Sequence, residues 1–338
     1  MFIHLKSSMI RRYPLIASTL LLMSANPLKA DDARIESGDI KSEKLLRIIK
    51  QPPSYVRNTN YDKRWFNAIR TGIDKTREYL GNYGPLHVYI IGQESKELED
   101  HAVGKAVIKT FCHCRHAQTK DRIPDCLKNA GASLIKRARN GSTEAYLSYV
   151  DYTDPPLAEL VFINPHGFNM PYLHTRGIHE YTHVFQRGFP DTPTWMSEGG
   201  AEFLAFYLGE KNEWVNFKES MSKSMNMAQS VENDEASLVD FEDVGKIERE
   251  RPELKKYYRH IAYDAGVWAV AFLIHNSENR SVKGFTNKFY PMIGLMGWQE
   301  ALKRYAKFDN IEEFYDSFEK FLNLSNEKKM QMLDKLKP

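Results

Sequence analysis

Past its first thirty residues the chain has no apolar run long enough to cross a bilayer, which takes about 20 such residues. The best later stretch, Ala262 to Ile274, is short and carries Asp264. A charge excess of one sign is also missing. The 338 residues include 47 basic and 44 acidic side chains, and four of the basic ones, Lys6, Arg11, Arg12 and Lys29, precede position 31. Without that segment 43 basic residues face 44 acidic ones, a balance of −1, which gives no ground for nucleic acid as a partner. No repeat and no low-complexity tract is present. With 42% hydrophobic and 27% charged residues, the composition excludes a fibrous or disordered chain. The length suits one large domain or two modest ones.

Cysteine is scarce. Cys112, Cys114 and Cys126 are the only three. In an oxidising compartment one pair forms a disulfide, with Cys126 closing onto either Cys112 or Cys114 and one thiol left over. The run Cys112-His113-Cys114-Arg115-His116 also offers soft ligands, although its spacing matches no structural zinc pattern.

The beginning of the chain has the layout of a secretory signal peptide: Lys6, Arg11 and Arg12, then the apolar run Pro14 to Ala25, then small residues for cleavage after Ala25 or Ala30. The expectation is a secreted or periplasmic protein without stable membrane insertion once residues 1–30 are removed. Residues 31–60 read as a polar lead. A helix is expected over 61–79, where Trp65, Ile69, Ile73 and Tyr79 share a face, and strands over 86–91, 145–150 and 158–164. Residues 95–141 give no clear order. Helices are expected over 172–188, 195–209, 212–229, 252–276, 283–291, 297–306, 311–323 and 326–335. The expected organisation is α+β: a mixed α/β subdomain with a small sheet over 61–188, then a helical subdomain over 189–338.

At the join stands His179-Glu180-Tyr181-Thr182-His183, an H-E-x-x-H run. Histidines four apart on a helix project from one face and can grip one tetrahedral Zn²⁺. Glu180, beside the first histidine, is placed to act as general base on a water at the open position. The bland reading is an exposed helix with two unrelated histidines. Against it, Ile178, Val184 and Phe185 give the helix an apolar face, and a further motif follows. Gly188, Pro190, Asp191 and Pro193 form a turn leading into Trp195-Met196-Ser197-Glu198-Gly199-Gly200-Ala201-Glu202-Phe203. An antiparallel return brings Glu198 to the histidines as a third ligand, and Glu202, one turn on, can orient an imidazole.

H-E-x-x-H followed by W-x-x-E-G-x-A-E resembles the gluzincin peptidases, and H-E-Y-T-H with T-W-x-x-E-G-x-A-E-F is most similar to their collagenase-like, peptidase MA-like branch. The resemblance covers about residues 60–325 and is specific only over 179–203. The spacer is shorter than in bacterial collagenases and their additional large domains are missing, so a collagen substrate is not carried over. The resemblance implies a thermolysin-like zincin fold, one zinc per chain, a peptide or protein substrate, His179, His183 and Glu198 as ligands, and Glu180 as base. It also implies an oxyanion donor from the helical half. Tyr263, in a Y-x-x-G run, is the first candidate and His260 the second, while an ordinary packing role for Tyr263 is equally open. In such a fold an edge strand beside the metal helix binds substrate backbone, which points to Glu159 to Asn164, or else to a plain core strand. His166 and His174 lack metal spacing and read as local polar residues. Two alternatives to a peptidase remain, a catalytically idle zinc- or peptide-binding protein on the same scaffold and an amidase acting on cell-wall peptides.

Overall fold

The computed structural model describes residues 45–57, 61–92, 101–231 and 236–338. The expected signal peptide and the first part of the polar lead lie outside these residues. The described chain is predominantly helical, with a four-stranded mixed sheet and a separate two-stranded antiparallel pair, an α+β arrangement.

Two short strands, β1 (Arg47–Ile48) and β2 (Ser54–Arg57), occupy the segment read from sequence as a polar lead. Helix α1 (Lys63–Leu80) starts at Asp62, whose side chain accepts from the Arg64 amide, and stops at Gly81, whose φ of 103° lies outside the helical range. Strands β3 (Tyr83–Gly84) and β4 (Leu86–Ile91) follow. From His101 on, the region that gave no clear order carries three helices: α2 (His101–Arg115), α3 (Ile123–Cys126) and α4 (Ala132–Arg139), the last two joined by a π-helical turn. Strands β5 (Glu144–Val150) and β6 (Leu157–Ile163) complete the sheet.

The four-stranded sheet runs β2-β4-β6-β5, with β2, β4 and β6 parallel and β5 antiparallel, in the register Ser54↔His87, Leu86↔Ala158 and Glu144↔Ile163. Both faces of β4 and β6 are covered, which explains their nearly continuous apolar sequence. Val88, Ile90, Leu160 and Phe162 pack with α1 and with Leu173, Tyr181 and Val184, and Tyr89, Ile91, Val161 and Ile163 pack toward α2 and α4. One carboxylate interrupts β6. Glu159 is fully buried, 3.1 Å from Arg115 Nη1 of α2, and burial pushes it up to about 7 against the pull of that arginine. Its strand pairs on both sides. The expectation that residues 159–164 form a substrate-binding edge is therefore corrected: the edges of this sheet are β2 and β5.

The remaining helices are α5 (Met170–Gln186), α6 (Thr194–Lys211), α7 (Phe217–Ala228), α8 (Val244–Glu250), α9 (Gly266–Asn276), α10 (Val282–Gly284), α11 (Tyr290–Met296), α12 (Trp298–Ala306), α13 (Ile311–Leu322) and α14 (Asn326–Leu333). The single long helix expected over 252–276 is three pieces: a 3-10 turn Pro252–Tyr257, a π-helical stretch Arg259–Ala265, and α9.

Helix α5 divides two cores. Leu173, Tyr181 and Val184 point into the sheet-side core, whereas Ile178 and Phe185 belong to the large helical core with Trp195, Phe203 and Trp268. Glycines set how near its neighbours come. A Cβ on Gly72 of α1 would stand 2.2 Å from the His174 carbonyl, and one on Gly199 of α6 would stand 2.2 Å from Gly266 at the start of α9. These close crossings hold α1, α5, α6 and α9 together around one point.

Candidate metal centre

Helix α5 begins at Asn169, whose side chain accepts from the Tyr172 amide, and runs unbroken through His179-Glu180-Tyr181-Thr182-His183. After the turn at 187–193, α6 returns beside it. Across the pair, His179 meets Glu202, His183 meets Glu198 and Gln186 meets Ser197, so positions rise on one helix as they fall on the other. The two helices are antiparallel, and their contact surface carries His179 and His183 of one motif and Glu198 and Glu202 of the other.

His179 Nε2 and His183 Nε2 lie 3.1 Å apart. Glu198 Oε2 stands 3.4 Å from the first and 3.3 Å from the second. Ligand atoms at tetrahedral angles on bonds of about 2.0–2.1 Å are separated by roughly 3.3–3.4 Å, so the three side chains fit a zinc ion as they stand. Their far sides fix the protonation pattern. His179 Nδ1 lies 2.9 Å from Glu202 Oε2, and His183 Nδ1 lies 2.7 Å from Gln186 Oε1. The Gln186 amide is oriented by its own nitrogen, which donates to the Ser197 carbonyl and to the Tyr290 hydroxyl. Each Nδ1–H therefore donates outward, and each neutral ring turns the Nε2 lone pair inward. When both rings are neutral, two lone pairs and a carboxylate oxygen face one another, an arrangement suited to a cation, whether a proton or a metal ion. Glu198 Oε2 accordingly has no hydrogen-bond partner among the described residues.

The other oxygen, Glu198 Oε1, accepts from the Tyr258 hydroxyl at 2.9 Å. Arg259 Nη2 donates to Glu202 Oε1 at 2.9 Å, and its guanidinium lies 4.5 Å from the Tyr263 ring centre. Tyr258 and Arg259 come from the start of the π-helical stretch, and Tyr263 from within it. A wider turn of this kind is frequent at functional sites because it re-aims side chains that a regular helix would spread. Tyr263 lies parallel to the His179 ring, centres 5.6 Å apart. Burial, reinforced by Glu198, pushes its hydroxyl well above 10, so it keeps its proton and stays available as a donor near neutrality. His260 is half-buried, and its Nδ1 has no hydrogen-bond partner among the described residues.

The remaining sequence candidates are placed elsewhere. His166 Nδ1 is 3.1 Å from the Tyr61 hydroxyl; His174 Nδ1 is 3.0 Å from the Met170 carbonyl, and its ring stacks on Trp214. Cys112 and Cys126 form the disulfide and Cys114 is the free thiol. His116 is engaged by Thr119 and Tyr152, and among the described residues His179, His183 and Glu198 form the one group with metal-binding geometry. Sequence reasoning missed Arg176, Gln186, Tyr258, Arg259 and Tyr290. Gln186 and Arg176 stand at helical spacing from the motif and could have been found on a helical wheel. Tyr258 and Arg259 carried no such signal.

Without a metal, a proton occupies part of this site. Burial alone would lower the His183 pKa, but the Glu198 carboxylate, with Glu180 and Gln186 beside it, raises it to about 9 from the usual 6.5. The sign follows directly. This group stabilises the metal-free fold fully below pH 6.5, and that contribution is lost as pH rises through about 9. Zinc binding at pH 7 must expel the proton, so titration calorimetry in buffers of different ionisation heat should register release of about one proton per zinc. Apparent zinc affinity should climb from pH 6.5 to 9; a flat profile with no proton release would contradict this assignment.

Comparison of the chain with protein-family models, with curated proteins and with solved structures gives no match.

Proposed function

We propose that this protein is a zinc-dependent peptidase, secreted or periplasmic, built on a thermolysin-like zincin scaffold. The observation that carries the proposal is the convergence of two Nε2 lone pairs and the Glu198 carboxylate at tetrahedral spacing. Glu180, on the same helix between them, is buried to 1% exposure. A site that only stored metal would have no use for that additional acid. The Cys112–Cys126 bond supports an oxidising compartment.

His179, His183 and Glu198 would hold the zinc, which when bound would supply Lewis acidity toward a water and a peptide carbonyl. Glu180 then takes the proton from the attacking water and delivers it to the leaving amine, so that its charge is restored each cycle. Tyr263, protonated and stacked beside His179, is the residue proposed to donate to the developing oxyanion. Glu202 and Gln186 hold the imidazoles in the tautomer that ligation requires, and Tyr258 orients the Glu198 carboxylate.

Incubating the purified chain with a mixed peptide library tests the reading. Cleavage that a chelator abolishes and zinc restores is the expected outcome. A chain holding zinc that cleaves no member of the library would turn the reading toward a binding protein.

A further inference from the structure

Arg176 stands one helical turn before Glu180 on α5. Its Nη2 lies 2.8 Å from Glu180 Oε1 and 3.3 Å from the Ala145 carbonyl at the start of edge strand β5. Both side chains are buried, at 13% and 2% exposure. The approach to Glu180 is a close charge contact without hydrogen-bond alignment, since Oε1 has no aligned donor among the described residues. Arg176 Nε is likewise buried without a partner among them.

Helix stability does not account for this arginine. An arginine preceding its glutamate by four is the weaker order for a helical ion pair. Burying a guanidinium with one nitrogen unpartnered adds a desolvation cost. The compensating feature is its location. Glu202 and Tyr263 lie close enough to act on the same guanidinium, which therefore sits among the residues that surround the metal ligands.

We propose that Arg176 is a positioning residue for Glu180, holding the carboxylate in one orientation on the metal face and tying it to the start of β5. The inference rests on the reading of Glu180 as general base. The polar contacts of Arg176 are with Glu180 and the Ala145 carbonyl, so its effect on the reaction passes through Glu180. A carboxylate with its closest oxygen fixed in this way loses less freedom when it receives a proton, which is how preorganisation raises turnover rather than binding.

The test uses acetohydroxamate, a small zinc chelator whose N–H and O–H seek a neighbouring carboxylate. Full-length wild type, Glu180→Gln, Arg176→Met and Arg176→Lys are loaded with zinc, and metal content, hydroxamate affinity and, with a cleaved peptide, kcat and KM are measured. All four should hold the same zinc. Glu180→Gln and Arg176→Met should each bind hydroxamate about tenfold more weakly or worse, with Arg176→Lys between them and wild type. In the arginine variants kcat should fall while KM stays near wild type, a split that general loosening of the fold would not give. Wild-type affinity and kcat in both arginine variants, beside a weakened Glu180→Gln, would overturn the inference alone. Should Arg176→Met not fold, Arg176→Lys decides: full affinity refutes the proposal and weakened affinity supports it. Wild-type hydroxamate binding by Glu180→Gln would instead remove the base, and this inference with it.

Discussion

Replacing Glu180 with glutamine is expected to leave zinc at about one per chain while peptide cleavage falls by a factor of about 10² to 10⁴. Two features of the site make the effects separable. The atoms proposed to hold the metal are the Nε2 atoms of His179 and His183 and Oε2 of Glu198, and Glu180 is not in that group. Its nearest charged partner is Arg176, on the side of the helix turned toward β5. Glutamine preserves the size of the side chain and its packing, but an amide cannot take a proton from water near neutral pH. Metal content by mass spectrometry and initial rates on a cleaved peptide check both parts. Retained cleavage would mean that another group serves as base, and lost zinc would mean that Glu180 belongs to the ligand set.

Glu198→Gln is expected to act on the metal itself, weakening zinc by more than about 100-fold, beyond the 10–100-fold usual for partners that only orient ligands. The glutamate supplies the negative charge that two neutral imidazoles lack. Its carboxylate is held by the Tyr258 hydroxyl on one oxygen and approached by both histidines on the other. Burial alone would raise its pKa, but His183, with His179 beside it, holds it well below the usual carboxylate range, so the carboxylate is ionised near neutral pH. Competition against a chromophoric chelator gives the affinity, and circular dichroism separates metal loss from unfolding. Zinc affinity equal to wild type would show that the third ligand is another residue.

The parts of the fold legible in the sequence are those that local pattern determines. Strand β4 and helices α5, α12 and α13 lie within a few residues of the expected bounds because apolar periodicity and breaking residues mark them. Helix α7 begins at Phe217 rather than 212, since Glu213 takes a positive φ and Asn216 caps the helix. Strands β1 and β2 were hidden in a polar segment because each is short and draws its pairing from distant residues, Tyr83 with Gly84 and His87 to Ile90. The π-helical stretch at Arg259–Ala265 breaks helical periodicity by widening one turn, and no spacing rule anticipates it. The edge position failed for a related reason. Chain order places residues 159–164 last before the metal helix, but β5 folds back antiparallel outside them.

The site divides in the same way. His179, Glu180 and His183 are fixed by one helix, and Glu198 and Glu202 by a second helix joined through a short turn, so spacing alone places them near one another. Tyr258 reaches Glu198 across 60 residues of chain, and Arg259 reaches Glu202 across 57. Their roles depend on tertiary packing that no sequence period encodes.

The most direct measurement is the metal content and coordination of the full chain, purified without added metal and then titrated with zinc. The account predicts one tight zinc, with X-ray absorption showing two imidazole nitrogens and carboxylate oxygen at about 2.0–2.1 Å. A folded chain that takes up no zinc, or holds it with sulfur among the ligands, would contradict it.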